Sequence, residues 1–415
     1  MSKVNVGKES EGGITSSYAV DDGVVLKVPY SYMGSIYDEA EEQALLAAMK
    51  QDSLTMGPCV AKFQHMFAKM CGTKYAFAAS NCTTAMHCAT QAMGIGPGDE
   101  VIVTPNTFIA TTLVILKEGA TPVYADIDPK TFNIDPKCIE KKITNKTKAI
   151  YVVHYGGQMC DMAPIMEIAK KHNLLVLEDC AHAPGAEYKG RKAGSIGDVG
   201  CFSFHSLKNM TTLGEGGMIV TSRDDLAEKI DKLRCMNLFN WENQVDYWIP
   251  SHFDINDVDG KWGNNYRMNE CQAAVGCCQL DKLDMLNEKR IYNGRYITEG
   301  IKGIKGITPV YEDPNCKHIY HLYTVCVEEK ELGASRDDFL RVLYREEGVQ
   351  GILHYQPTYD FTGLRKMGFP GGQCPNAEDF FYRRELNTPH HPRLTKTDLD
   401  NIIAGIKNAA EKVRK

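Results

Sequence analysis

The chain has 415 residues, 43% of them hydrophobic and 24% charged, and a net charge of −6. That length supports two domains with a substantial buried core, and the slightly acidic balance gives no reason to expect nucleic-acid or anionic-membrane binding. No apolar run is long enough to span a bilayer, and residues 1–13 lack the apolar centre of a secretory signal, so a cytoplasmic protein is expected.

Residues 1–30 read as a loosely organised arm. Residues 37–49 follow as a helix with an acidic first turn. Gly57-Pro58 breaks the chain, and residues 60–70 have helical spacing up to Cys71-Gly72. A short strand at 75–79 runs into the polar stretch 80–84, and the helix at 85–93 stops at Gly94. From there strands and helices alternate. Strands are expected at 101–103, 121–125, 148–153 and 174–177, with helices at 111–117 and 164–172. Apolar strands alternating with helices predict an α/β fold with a mostly parallel sheet covered on both faces.

The last of these strands runs into Glu178-Asp179, and the apolar run 201–204 ends in a loop carrying Lys208. Gly214, Gly216 and Gly217 then lead into the strand 218–220, and such glycines let a backbone pass close to a ligand. The region from 233 to 262 is irregular and rich in Trp, Tyr, Phe and Asn, which marks a functional or interfacial loop. A long helix at 269–286 joins two domains. Beyond it, a strand at 320–325 and helices at 336–346 and 396–413 predict a smaller α+β domain. The division is an arm at 1–35, a large domain at 36–285 and a small one at 286–415.

The fifteen cysteines are scattered and form no CxxC pair, which predicts reduced thiols rather than a disulfide framework. His390-His391 stands too isolated to argue for a metal, and no metal site is expected.

Ligands of open α/β sheets bind beyond the carboxyl ends of the strands, and three polar features fall there. Residues 80–84 offer backbone N–H groups and hydroxyls at a helix N-terminus, suited to a phosphate or to a simple helix cap. Asp179 suits a protonated ring nitrogen or an ordinary loop role. His182 is placed to donate to a phenolic or carbonyl oxygen, or to pack. Lys208 suits amine chemistry, although a solvated lysine is the common alternative. A phosphate grip, a carboxylate and a lysine are together the contacts that pyridoxal phosphate (PLP) needs.

Several segments carry a closer likeness: Gly98-Asp99-Glu100-Val101-Ile102-Val103, Glu178-Asp179-Cys180-Ala181-His182-Ala183, Phe202-Ser203-Phe204-His205 with Lys208, Gly214-Glu215-Gly216-Gly217, Gly263-Asn264-Asn265-Tyr266-Arg267-Met268 and His354-Tyr355-Gln356-Pro357. In these, from about Pro29 to the C-terminus, the chain resembles the DegT/DnrJ/EryC1/StrS family of sugar aminotransferases. The resemblance implies PLP fold type I, with a seven-stranded type of central sheet. It implies that Lys208 forms the Schiff base and shuttles the proton, and that Asp179 partners the pyridine nitrogen. Phe108 would stack on the ring, Thr83, Thr84 and Ser203 would contact the phosphate, and His182 would lie near the ring oxygen. Asn265 would reach the phosphate of a neighbouring subunit, so a homodimer with shared active sites is implied. Cys82 stands where the family usually has glycine, and Thr104-Pro105-Asn106-Thr107 replaces a more usual Pro-Ser-Phe-Thr. Neither change removes a group the reaction needs.

The implied reaction moves an amino group from glutamate or glutamine, through the pyridoxamine phosphate form, to a keto sugar, most often nucleotide-linked. A keto cyclitol or keto sugar phosphate is an alternative acceptor. A PLP-dependent sugar dehydratase typically has histidine in place of the lysine, so Lys208 argues against it. A non-catalytic binding protein on this scaffold would not need so complete a set of contacts. A nicotinamide enzyme is disfavoured because Gly94-Ile95-Gly96-Pro97-Gly98 has the wrong spacing and contains a proline. The 241–262 region and the C-terminal domain are expected to line the acceptor pocket. Arg267 is a candidate for the donor's second carboxylate or for an interface salt bridge.

Overall fold

In the computed structural model, residues 23–238 and 255–414 are described. Most of the expected arm and of the aromatic loop lies outside them. The central sheet has seven strands in the spatial order Tyr75–Ala79, Gly217–Thr221, Val199–Ser203, Leu175–Asp179, Thr147–Val153, Glu100–Val103, Thr121–Tyr124. Pairing is parallel among the last five and antiparallel on both sides of Gly217–Thr221. Nearly every residue of Val199–Ser203, Gly217–Thr221 and Thr147–Val153 is buried, as strands covered by helices on both faces must be.

Two apolar cores lie against this sheet. One gathers Phe63, Phe67, Phe202 and Phe204, and the other gathers Met86, Val101, Val114 and Ile230. The rings of the first meet at 4.9–5.9 Å, mostly edge to face, the favoured aromatic geometry. The helix Pro58–Cys71 starts where Glu270, fully buried, accepts from the N–H groups of Gly57, Cys59 and Val60 at 2.7–3.1 Å. A carboxylate there satisfies orphan donors and complements the helix dipole. The same helix ends at Gly72 with φ 72°, as its sequence signal predicts.

A third core surrounds the antiparallel sheet Ile307–Pro309, Tyr323–Val327, Glu385–Thr388 and the helices Arg336–Arg345 and Lys396–Val413. The long helix runs from Glu270 to Ile301, fifteen residues beyond its expected end. Ala273 and Leu283 enter the first core and Ile297 and Ile301 the third, and the expected domain boundary at 285/286 falls inside it. Its glycines are close-approach positions rather than stops: a Cβ on Gly294 would come within 2.5 Å of the Tyr320 ring.

The strand expected at 320–325 begins only at Tyr323. Tyr320 is left-handed, with φ 48°, and gives its N–H to His318 Nδ1 at 2.9 Å. The N–H of Leu322 goes to the carbonyl of Gly156. The first bond bends the segment, and the second holds it against the turn that follows Thr147–Val153 instead of in the small sheet.

Candidate active site

Asp179 closes its strand, level with Cys201 on one neighbour and Val153 on the other. Ser203 and Ala79 end their strands opposite the same residue, Gly217, so the polar residues after three strands share one edge of the sheet. Asp179 is buried, with Oδ2 accepting from Thr111 Oγ1 at 2.8 Å and Oδ1 from the Ala181 N–H at 3.0 Å. Burial lifts its carboxyl above the ordinary value, against the lowering effect of those two bonds and of the Lys208 charge. No cation is paired with it among the described residues.

Lys208 sits in a braced turn. Its N–H bonds the His205 carbonyl at 2.8 Å, the Ser206 N–H bonds Gly214 at 3.0 Å, and the Gly34 N–H bonds the Ser206 carbonyl at 2.7 Å. A Cβ on Gly34 would overlap the carbonyl oxygens of Leu207 and Lys208, so this strap lies directly on the lysine's backbone. Desolvation pulls the Lys208 ammonium down to about 8, with the Asp179 carboxylate opposing it. Arg290, fully buried, donates to the carbonyls of Gly34, Tyr320, His321 and His390 at 2.5–3.4 Å and ties the strap to the C-terminal region.

His182 is buried and neutral. Its Nδ1 accepts from the Gly156 N–H at 3.3 Å, so Nε2–H donates to the Tyr355 hydroxyl at 3.1 Å. Burial and the nearby Lys208 charge push its pKa well below the ordinary histidine value. Tyr355 stacks on it at 5.8 Å, and the His321 ring lies tilted against it at 4.2 Å. Phe108 is 59% exposed and meets Tyr355 edge to face at 6.4 Å. An exposed phenylalanine beside buried polar groups is the opposite of the core residue it would otherwise be.

Residues 80–84 form both a cap and a cradle. Asn81 caps the helix Cys82–Ala92, its side chain accepting from the Thr84 N–H at 2.9 Å while Thr84 Oγ1 accepts from the Asn81 N–H at 3.2 Å. The Thr84 hydroxyl is therefore committed to the turn, whereas that of Thr83 has no partner among the described residues. The N–H groups of Cys82 and Thr83, in the first helical turn, lack an intrahelical acceptor. Gly217 lies hard against this turn, since a Cβ there would overlap the Asn81 carbonyl. That glycine admits the cradle itself rather than a ligand.

Lys208, Asp179, His182, Phe108, Ser203, Thr83 and Thr84 thus gather around one edge. Asn265 is exposed, with no side-chain partner among the described residues, although the next residue's carbonyl accepts from the Ser80 N–H at 2.8 Å. Arg267 is half-buried near Cys235. Sequence reasoning missed Thr111 and the pair behind Asp179. There Glu178, fully buried, accepts from His154 Nε2 and from the N–H groups of Gly194, Ile196 and Gly197 at 2.6–3.0 Å. Those bonds hold its carboxyl below the ordinary value despite burial. His154, Glu178 and Cys180 have metal-ligand spacing, but the carboxylate is saturated and His154 Nδ1 accepts from the Cys160 N–H. The trio locks the strand end.

Residues 35–407 match the model of the DegT/DnrJ/EryC1/StrS aminotransferase family. The dTDP-3-amino-3,6-dideoxy-alpha-D-galactopyranose transaminase of Aneurinibacillus thermoaerophilus is 40% identical, over 89% of this chain and 95% of the relative. GDP-perosamine synthase of Caulobacter vibrioides is 39% identical, over 85% and 90%. Among solved structures, S. venezuelae DesV in complex with a ketimine intermediate superposes with a TM-score of 0.80 at 32% identity, covering 89% of this chain and 94% of that one.

Proposed function

The chain belongs to the DegT/DnrJ/EryC1/StrS aminotransferase family and is a PLP-dependent sugar aminotransferase; we propose that Lys208 carries its amino-group chemistry, that glutamate or glutamine is the donor, and that a nucleotide-linked keto sugar is the acceptor. The observation that carries the residue assignment is the facing pair of Asp179 and Lys208. One is a buried carboxylate that makes no ion pair among the described residues, and the other an amine that feels its charge and is drawn down to about 8.

These residues fit the cofactor. Asp179 would hold a protonated ring nitrogen, an ionic contact that burial strengthens. The N–H groups of Cys82 and Thr83, with the hydroxyls of Thr83 and Ser203, would hold the phosphate at a helix N-terminus. Phe108 would cover one face of the ring and His182 would lie at the ring oxygen. PLP, once its ring nitrogen is protonated, supplies an electron sink for the carbon that loses a proton. Lys208 Nζ, drawn down to about 8 and so within reach of its unprotonated form, would take the proton from the donor's α-carbon and return it on the cofactor side as a general base and acid. His182, neutral and bonded to Tyr355, adds no charge that would compete with Lys208.

The nucleotide-linked acceptor rests on relatives whose names specify GDP and dTDP sugars. A homodimer with shared active sites is supported by Asn265, exposed beside the cradle, and by exposed apolar residues such as Met49 and Trp262. A family of soluble enzymes and the absence of any helix long and apolar enough to cross a membrane, among the described residues, favour a cytoplasmic protein. The test is amine transfer from α-15N-glutamate and from α-15N-glutamine to GDP- and dTDP-linked keto sugars, a keto cyclitol and a keto sugar phosphate, read by mass spectrometry of the product. Label in a nucleotide sugar supports the proposal; label only in a free keto cyclitol or keto sugar phosphate rejects the acceptor.

A further inference from the structure

Behind His321 runs a chain of neutral side chains whose polarity can be read from one end. The Pro184 backbone carbonyl can only accept, and Asn287 Nδ2 donates to it at 2.9 Å. That turns Asn287 Oδ1 toward Asn209, whose Nδ2 donates to it at 3.0 Å. Asn209 Oδ1 therefore faces His321 Nδ1, 3.0 Å away, and the proton of that bond must sit on Nδ1. Asn287, Asn209 and His321 are all buried, so no water exchange loosens the order. Gly185 leaves room for the first link, because a Cβ there would come within 2.8 Å of Asn287 Nδ2.

A neutral imidazole protonated at Nδ1 carries a lone pair at Nε2. Nothing among the described residues bonds that nitrogen, and unlike Nδ1 of His354 it is not sealed inside the protein. The ring lies against that of His182, tilted by 33°, with centroids 4.2 Å apart. Lys208, His182, His354 and Arg290 surround it, and burial together with the cations keeps it neutral. The chain also links four segments around the site: the loop after His182, the residue next to Lys208, the long helix and the turn at 320–322.

We propose that His321 is a further acceptor-binding residue, whose Nε2 lone pair takes a hydrogen bond from a hydroxyl of the keto sugar. A bare nitrogen acceptor repels the carboxylates of an amino-acid donor and suits the hydroxyl groups that a sugar brings. It therefore acts on one half of the reaction. This inference rests on the sugar-acceptor assignment above.

The two half-reactions of the holoenzyme, followed separately by the absorbance of the bound cofactor, test it. His321→Leu is expected to lower kcat/KM for the keto sugar about tenfold, the effect of one lost hydrogen bond with a buried partner left unpaired, while the glutamate half-reaction changes less than about twofold. His321→Gln, which keeps an acceptor near the position of Nε2, is expected to recover most of the loss. Equal losses in both half-reactions, or none in the sugar half, overturn the proposal. Imidazole 15N shifts of the holoenzyme give a second arm that needs no substrate: His321 should show Nδ1 protonated and Nε2 bare from pH 6 to 9, and a protonated Nε2 overturns it. A wild-type enzyme that accepts the donor's amine but aminates no keto sugar would instead reject the functional assignment, and this inference with it.

Discussion

Thr111→Val isolates the electrostatic support of Asp179 with almost no change of shape. Thr111 Oγ1 donates at 2.8 Å to Asp179 Oδ2, inside the protein, one of two hydrogen bonds that reach that carboxylate among the described residues. A hydrogen bond to a charged group contributes about 1.5–3 kcal/mol, so its loss should raise the Asp179 pKa by about one to two units. The sign follows from the bond's preference for the ionised acceptor. Without it the protonated carboxyl gains ground, and burial already pushes the same way. The acid limb of the donor half-reaction should therefore move to higher pH by about one to two units. PLP should also be held more weakly at pH 6 than at pH 8. The assay is the rate of cofactor bleaching by glutamate or glutamine from pH 5 to 9, beside urea unfolding of the same variant. An acid limb that stays within about 0.3 units of wild type would show that Asp179 does not set this ionisation.

Asp179→Asn should abolish amine transfer yet leave the apoenzyme no less stable at pH 7. The raised carboxyl means that its charged form costs free energy above the ordinary carboxylate range, a cost that disappears as pH falls. A lower thermal midpoint for the apo variant would contradict this. Glu178→Gln should cost about 3–5 kcal/mol in urea denaturation, because the two donors that share one carboxylate oxygen would then face an N–H instead of an acceptor; a loss under about 1 kcal/mol would count against its locking role. Association of PLP with the apoenzyme should accelerate as pH rises through about 8, where Lys208 loses its proton. Stopped-flow absorbance measures this, and a flat profile would place the reactive amine elsewhere.

The alternating core was legible because each strand is a short local run with buried side chains on both faces, as Val199–Ser203 shows. The positions of Asp179, His182 and Lys208 at or just beyond strand ends were legible too, since each sits in a motif of adjacent residues. What escaped was assembled across the sequence. Thr111 meets Asp179 at a separation of 68 residues, His321 meets Asn209 at 112, and Arg290 meets Gly34 at 256. None of these has a local pattern that distinguishes it from an ordinary threonine, histidine or arginine. One glycine misled in an instructive way: Gly217 marks close packing of protein on protein, at Asn81, where its setting suggested a ligand. Thr84 shows the converse, a motif threonine whose hydroxyl the capping box engages.

The central claim is that Lys208 is the lysine that reacts. Borohydride reduction of the PLP-loaded enzyme, followed by proteolysis and mass spectrometry, makes any lysine–cofactor linkage permanent and locates it. The pyridoxyl group is predicted on the peptide containing Lys208, and pre-treatment with the amino donor should prevent its attachment. A modification on another lysine, or labelling that the donor leaves untouched, would contradict the account.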